Sequence, residues 1–195
     1  MYPEYLSCIY DKNKFIVQNI SLLNFLNFKA TPVLYNFCLK FDKSKQVSLL
    51  NLHLPYIPKK RSRRKELSQL YRLLRKKDRS KIKLSNGTVD IDNLIICADL
   101  NFPGKFLKKR SNLPNLKGFK TPLYINKEKR FYKTNSSLKT DCCFDHIMYS
   151  RNNINWKFNK LFIGKPESII LSNKKNPKFA SDHLPLIAEF NLKNV

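Results

Sequence analysis

Ser181-Asp182-His183-Leu184-Pro185, running directly into Leu186-Ile187-Ala188-Glu189-Phe190, is the stretch from which the rest of the chain can be read. An acid and a histidine stand side by side at the mouth of an apolar segment that reads as a buried strand. Proline can open such a strand because its missing N–H falls outside the ladder. Asp and His are costly to bury and natural at the rim of a cleft. Taken alone, the pair reads more simply as a loop acid beside a surface histidine. The chain holds three histidines, His53, His146 and His183, and each stands beside polar residues at the end of a β-prone run.

Moving upstream, Leu94-Ile95-Ile96-Cys97-Ala98 is the short continuous apolar run expected of a strand buried on both faces. It delivers Asp99-Leu100-Asn101, and alternation puts Asp99 and Asn101 on one side. Segments 31–41 and 46–54 read as a hairpin around the polar turn Asp42-Lys43-Ser44-Lys45. The second of them ends in Asn51-Leu52-His53-Leu54. Segment 139–150 reads as another strand, with Asp145 and Ile147 on one face and Phe144, His146 and Met148 on the other. An acid inside such a strand needs a partner. Further strands are expected over 6–10, 15–20, 161–164 and 167–171.

The period changes once. Leu67, Leu70, Tyr71 and Leu74 stand at i, i+3, i+4 and i+7, which predicts a helix over 64–77 with basic residues on its other faces. Lys59, Lys60, Arg61, Arg63 and Arg64 crowd its start, where positive charge opposes the helix dipole. A phosphate backbone would account for them, as would plain solubility. Segment 78–92 is a polar link turning at Asn86-Gly87. Segment 102–133, with Lys108, Lys109 and Arg110, reads as long basic surface loops. Their interleaved Phe and Tyr suit base stacking or anchoring of the loops to the body.

Lysine and arginine number 38 against 14 acids, a net charge of +24 in 195 residues. That excess favours a polyanionic partner, nucleic acid first and an anionic membrane surface second. The length fits a single domain over 1–195, and no repeat or linker divides it. The five cysteines form no CxxC and no disulfide framework, so an intracellular, reducing compartment (cytoplasmic or nuclear) is expected. No apolar run reaches membrane-span length, and the N-terminus is no signal peptide. The N-x-S/T triplets at Asn19, Asn86 and Asn135 then read as accidents of an Asn-rich chain.

Four pieces stand in fixed order: Asn51-Leu52-His53-Leu54, Ala98-Asp99-Leu100-Asn101, Phe144-Asp145-His146-Ile147 and Ser181-Asp182-His183-Leu184-Pro185. Together they resemble the endonuclease/exonuclease/phosphatase superfamily, the deoxyribonuclease-I-like fold, over nearly the whole chain. The resemblance implies an α/β, four-layer α/β/β/α sandwich with its active site at one end of the sheets. It implies that Asp99 orients or deprotonates the attacking water and that Asn101 holds that water and the phosphate. It implies Asp182 and Asp99 as ligands of Mg²⁺ (or Mn²⁺). His183 would bind the scissile phosphate with its ring fixed by Asp145. His53 would contact the phosphate from the other side or protonate the leaving oxygen.

The resemblance also brings an expected departure. The family's principal metal ligand is a glutamate in an early Gln-Glu motif, and this sequence contains no Gln-Glu pair. An N-terminally shortened domain is the resulting expectation, as a fragment, as a half completed by a partner chain, or as a homologue that binds without cutting. The functional expectation is a metal-dependent phosphodiester hydrolase, foremost an endonuclease on DNA or RNA. The alternatives are a basic nucleic-acid-binding homologue without catalysis and a lipid- or sugar-phosphate phosphatase of the same family.

Overall fold

The structure, a computed structural model, describes residues 6–26, 28–54, 60–75, 81–84, 87–101, 119–120, 124–125, 130–131, 134, 144–153, 155–164 and 183–193. Its centre is a mixed sheet of six strands among the described residues. They are β1 (Phe15–Leu22), β2 (Val33–Leu39), β3 (Gln46–His53), β6 (Leu94–Asp99), β7 (Phe119–Lys120) and β10 (Asp145–Ser150), in the order β1-β2-β3-β6-β10-β7. Neighbours run antiparallel except β3 and β6, which are parallel. A parallel pair needs a crossover, and helix α1 (Lys60–Arg75) lies within it.

Alternation sorts the sheet into two faces. On one, Leu50, Leu52, Leu94, Ile96, Ala98 and Met148 are buried against Leu67, Leu70 and Leu74 of α1 in one apolar cluster. These three leucines belong to the stripe read from the sequence. The helix begins earlier than the periodicity shows, because its first turn carries no apolar residue to register and no acid to mark an N-terminus. His146 lies on this same face and is only 1% exposed.

The opposite face carries Val33, Tyr35 and Phe37, packed with Phe15, Val17, Val47 and Leu49. A hairpin of β11 (Trp156–Ile163) and β12 (Leu186–Leu192) stands on the same side. Tyr149 stacks on Phe158 with centroids 5.1 Å apart and meets Phe190 edge-on at 5.5 Å. Trp156 Nε1 donates to the Gln46 carbonyl at 2.9 Å, pinning the hairpin's far end. An apolar groove of about 290 Å³ remains between Leu49, Ile95, Trp156 and Phe190. The strand from Leu186 is therefore half buried, alternating between exposed and intermediate, rather than fully buried as its composition suggested.

Two further departures have clear causes. Residues 6–10 form no strand. They cross the second face through side-chain bonds, Tyr35 Oη donating to the Leu6 carbonyl at 2.8 Å and Asn51 Nδ2 to that of Ser7 at 3.1 Å. The polar link instead contains a small ladder, β4 (Lys81–Leu84) against β5 (Gly87–Asp90), and Asn86 of the expected turn lies outside the described residues. Within the basic loops, β8 (Tyr124–Ile125) pairs with β9 (Arg130–Phe131). The expected strand at 167–171 lies outside the described residues. Cys8, Cys38 and Cys97 are free thiols, and burial pushes the Cys97 thiol up to about 11, as befits a packed rather than reactive group. No helix among the described residues is long and apolar enough to cross a membrane.

Candidate active site

Strand register assembles the site. His53 is the Cα partner of Asp99 across the parallel β3–β6 pair. Asp99 is the partner of Asp145 across the antiparallel β6–β10 pair. Three strand ends thus set His53, Asp99 and Asp145 in one row on the face that carries the hairpin. Each is reached by the same alternation that sends Leu52, Ala98 and His146 to the helix side.

The loop after β6 closes the row. Asn101 has φ of 45°, in the left-handed region that asparagine tolerates better than most residues. This turn lets the Asn101 backbone N–H donate to Asp99 Oδ1 at 2.7 Å. Its side-chain amide donates to the Leu54 carbonyl at 2.7 Å and lies 2.9 Å from His53 Nε2 and 3.2 Å from Asp99 Oδ2. Asn101 is buried, so these bonds fix both the histidine ring and the carboxylate.

His183 arrives from the far end of the chain, just before β12. Its Nδ1 lies 2.8 Å from Asp145 Oδ2, 2.9 Å from Oδ1 and 4.0 Å from Asp99 Oδ2. A ring held by a carboxylate at Nδ1 donates from that nitrogen, which sets its tautomer and supports the imidazolium. No sequence signal marks the group that holds this corner. Thr134, fully buried, accepts the N–H of Phe144 at 2.9 Å and of Asp145 at 3.1 Å through Oγ1. Its carbonyl accepts from Leu184 N–H at 2.8 Å. One threonine thus ties the Asp145 strand to the His183 segment.

Electrostatically the row is two acids between two imidazoles. Burial holds the Asp99 carboxyl above the usual carboxylate range. The bond from Asn101 N–H and the two histidines lower it, and Asp145 raises it further. Asp99, Asp145 and His183 each offer a ligand atom, all within 4.8 Å of one another. Two carboxylates suit a hard divalent cation, which prefers oxygen donors. Asp182 lies outside the described residues, as do Lys59, Lys108, Lys109 and Arg110; Lys60, Arg61, Arg63 and Arg64 belong to the start of α1, and their side chains lie outside the described set.

One more acid approaches the row. Glu66 of α1 is 8% exposed, and its Oε1 accepts from Lys29 N–H at 3.2 Å. Its other oxygen is buried without a hydrogen-bond partner among the described residues, and desolvation raises its carboxyl, with Lys29 and His53 opposing. Nothing in the sequence around Glu66 distinguishes it from the solvated charges of the helix.

No family model matches this sequence. No curated protein matches it either. Solved structures do resemble the fold. The human Nocturnin catalytic domain with bound sulfate shares 16% identity at a TM-score of 0.56, over 93% of this chain and 61% of that one. Zebrafish (D. rerio) TDP2 complexed with a single-strand DNA product shares 15% at 0.59, over 92% and 70%. ANGEL2, a 2',3'-cyclic phosphatase, shares 16% at 0.55, over 92% and 68%. These neighbours belong to the endonuclease/exonuclease/phosphatase superfamily, and the mixed α/β fold described above is of their deoxyribonuclease-I-like kind. The chain spans about 61% of the Nocturnin domain's length.

Proposed function

We propose that this protein is a divalent-metal-dependent phosphodiester hydrolase acting on nucleic acid. The observation that carries the reading is the row His53–Asp99–Asp145 with Asn101 and His183 bonded into it. Five polar residues from four distant segments meet at one sheet end, within hydrogen-bonding distance of their neighbours. The full four-layer sandwich belongs to the same reading.

Each group has a role that its surroundings suit. In-line attack of water on the phosphorus forms one P–O bond and breaks another, and negative charge accumulates on the phosphoryl oxygens. Asp99 orients the attacking water or accepts its proton. Asn101 orients that water and the Asp99 carboxylate. His183, held as an imidazolium by Asp145, stabilises the phosphoryl charge. His53 contacts the phosphate from the opposite side or returns a proton to the leaving oxygen. Asp182 and Asp99 are the residues that would hold Mg²⁺ or Mn²⁺, and Asp145 stands within reach of the same place. When bound, such an ion supplies Lewis-acid stabilisation of the same charge.

The basic stretches Lys59–Arg64 and Lys108–Arg110 would track the nucleic-acid backbone. A second reading, a nucleic-acid-binding homologue without turnover, draws on the +24 charge and on the missing Gln-Glu motif. The test is cleavage of labelled single-stranded and duplex DNA and RNA by the purified chain, with Mg²⁺, with Mn²⁺ and with EDTA. Metal-dependent cleavage that falls roughly 10²–10³-fold in Asp99→Asn is the expected result. Binding without cleavage under every metal condition favours the second reading, and cleavage equal in Asp99→Asn and the native protein overturns the first.

A further inference from the structure

The end of the sheet opposite the catalytic row carries a different surface. β3 runs from Gln46 at this end to His53 at the other, about 24 Å at ~3.4 Å per residue. Two loops lie together here: the turn at Asp11–Lys14 and the β2–β3 turn at Lys40–Lys45. They are joined by the Lys40 N–H donating to the Lys14 carbonyl at 2.8 Å. Phe41 in the second turn and Ile9 and Tyr10, which lead into the first, are unusually bare. Ile9 is 100% exposed, Phe41 76% and Tyr10 45%. Around them stand Lys12, Lys14, Lys40, Lys43 and Lys45 against two acids, Asp11 and Asp42. Asp11 faces Lys14 at 3.9 Å, and Asp42 accepts from Ser44, so both acids are engaged.

The loops are built, not slack. Tyr10 packs its ring on Phe37, with centroids 5.4 Å apart. The Asp42 carboxylate accepts from the Ser44 N–H at 3.0 Å and closes the second turn. A firm turn that holds a phenylalanine three-quarters in water loses most of the benefit of burying it, and such a patch marks a surface that is covered by something else.

We propose that this end docks on an anionic lipid bilayer, with Phe41 and Ile9 entering the headgroup region and the lysine collar resting on the lipid phosphates. The chemistry favours that occupant over others. A second copy would bring two +24 molecules together at a lysine-rich end. Nucleic acid would use the lysines but leave Ile9, which has no flat face on which a base could stack. A bilayer uses both: apolar tips insert, and ammonium groups stay at the surface. Two weak signals of this kind together give reversible peripheral attachment, with the catalytic row pointing away from the membrane. This inference is independent of the catalytic reading.

The test is co-sedimentation of the full chain with phosphatidylcholine vesicles made with and without phosphatidylserine. Binding is expected only with phosphatidylserine, and it should weaken as salt rises. Phe41→Ser should lower the partition about tenfold or more through the lost apolar contact. Lys43→Ser should lower it roughly fivefold. Phe25→Ser, at an exposed phenylalanine near the opposite end of β1, serves as the control and should leave it unchanged. Because Phe41 and Phe25 are both largely exposed, the folded state tolerates either change, and thermal unfolding of each variant checks this. Absence of binding to phosphatidylserine vesicles overturns the proposal. So does equal binding by Phe41→Ser and Phe25→Ser, which would reduce the patch to undirected attraction of a basic protein to any polyanion.

Discussion

Asp145 illustrates how much one carboxylate decides. Both of its oxygens lie within 2.9 Å of His183 Nδ1. Asp145→Asn would keep the shape but replace the acceptor that supports a charged ring. Under the proposed mechanism, kcat should fall by about 10²-fold or more with little change in KM, measured by steady-state cleavage kinetics. Glu66 gives a prediction of the opposite character, about stability. Desolvation raises its folded carboxyl above the unfolded value, so the native state binds a proton more tightly than the unfolded chain does. Stability from this group is therefore full below the ordinary glutamate range and is lost as pH rises through the raised value. Glu66→Gln abolishes the titration. In urea unfolding, the variant should gain on the native protein as pH rises from the acid side toward neutrality; an unchanged difference would remove Glu66 from the account. His53, Asp99 and Asp145 could be singled out because each stands at the end of an apolar run, on the face that alternation assigns; Asn101 and His183 stood out through the motifs that carry the resemblance, and a left-handed turn and the segment before β12 bring them to the row. Thr134 and Glu66 could not be singled out, because a threonine in a polar loop and a glutamate on a basic helix acquire their roles only from neighbours distant in sequence.

At the scale of elements, period was the most readable property. The hairpin β2–β3, the buried strand β6 and the leucine stripe of α1 follow directly from it. Leu70 is among the most deeply buried residues of the helix face, so Leu70→Ala should destabilise the fold by about 2–5 kcal/mol in denaturant unfolding. A loss well under ~1 kcal/mol would mean that α1 is not packed on the sheet as described. What period could not show was pairing. Residues 6–10 have strand composition yet bond through Tyr35 and Asn51 side chains, and β12 has buried-strand composition yet leaves one face open. Composition reports a residue's preference, and the neighbours that satisfy it are chosen by the tertiary structure.

For the whole molecule, the charge of +24 bears on partners and not on the fold. Binding to duplex nucleic acid should weaken with salt, log affinity falling by about 0.9 per log unit of salt for each phosphate contacted. Fluorescence anisotropy across a salt series reads this slope, and a flat response would remove the backbone from the proposed contacts. The proposed catalytic row and the lysine-rich turns stand at opposite ends of one sheet, so the two proposals fail separately. The most direct test of the central claim is the rate of metal-dependent cleavage of a labelled oligonucleotide by the native chain and by His183→Ala, side by side. A Mg²⁺- or Mn²⁺-dependent rate that drops roughly 10²–10³-fold in the variant is predicted; equal rates for the two proteins would contradict it.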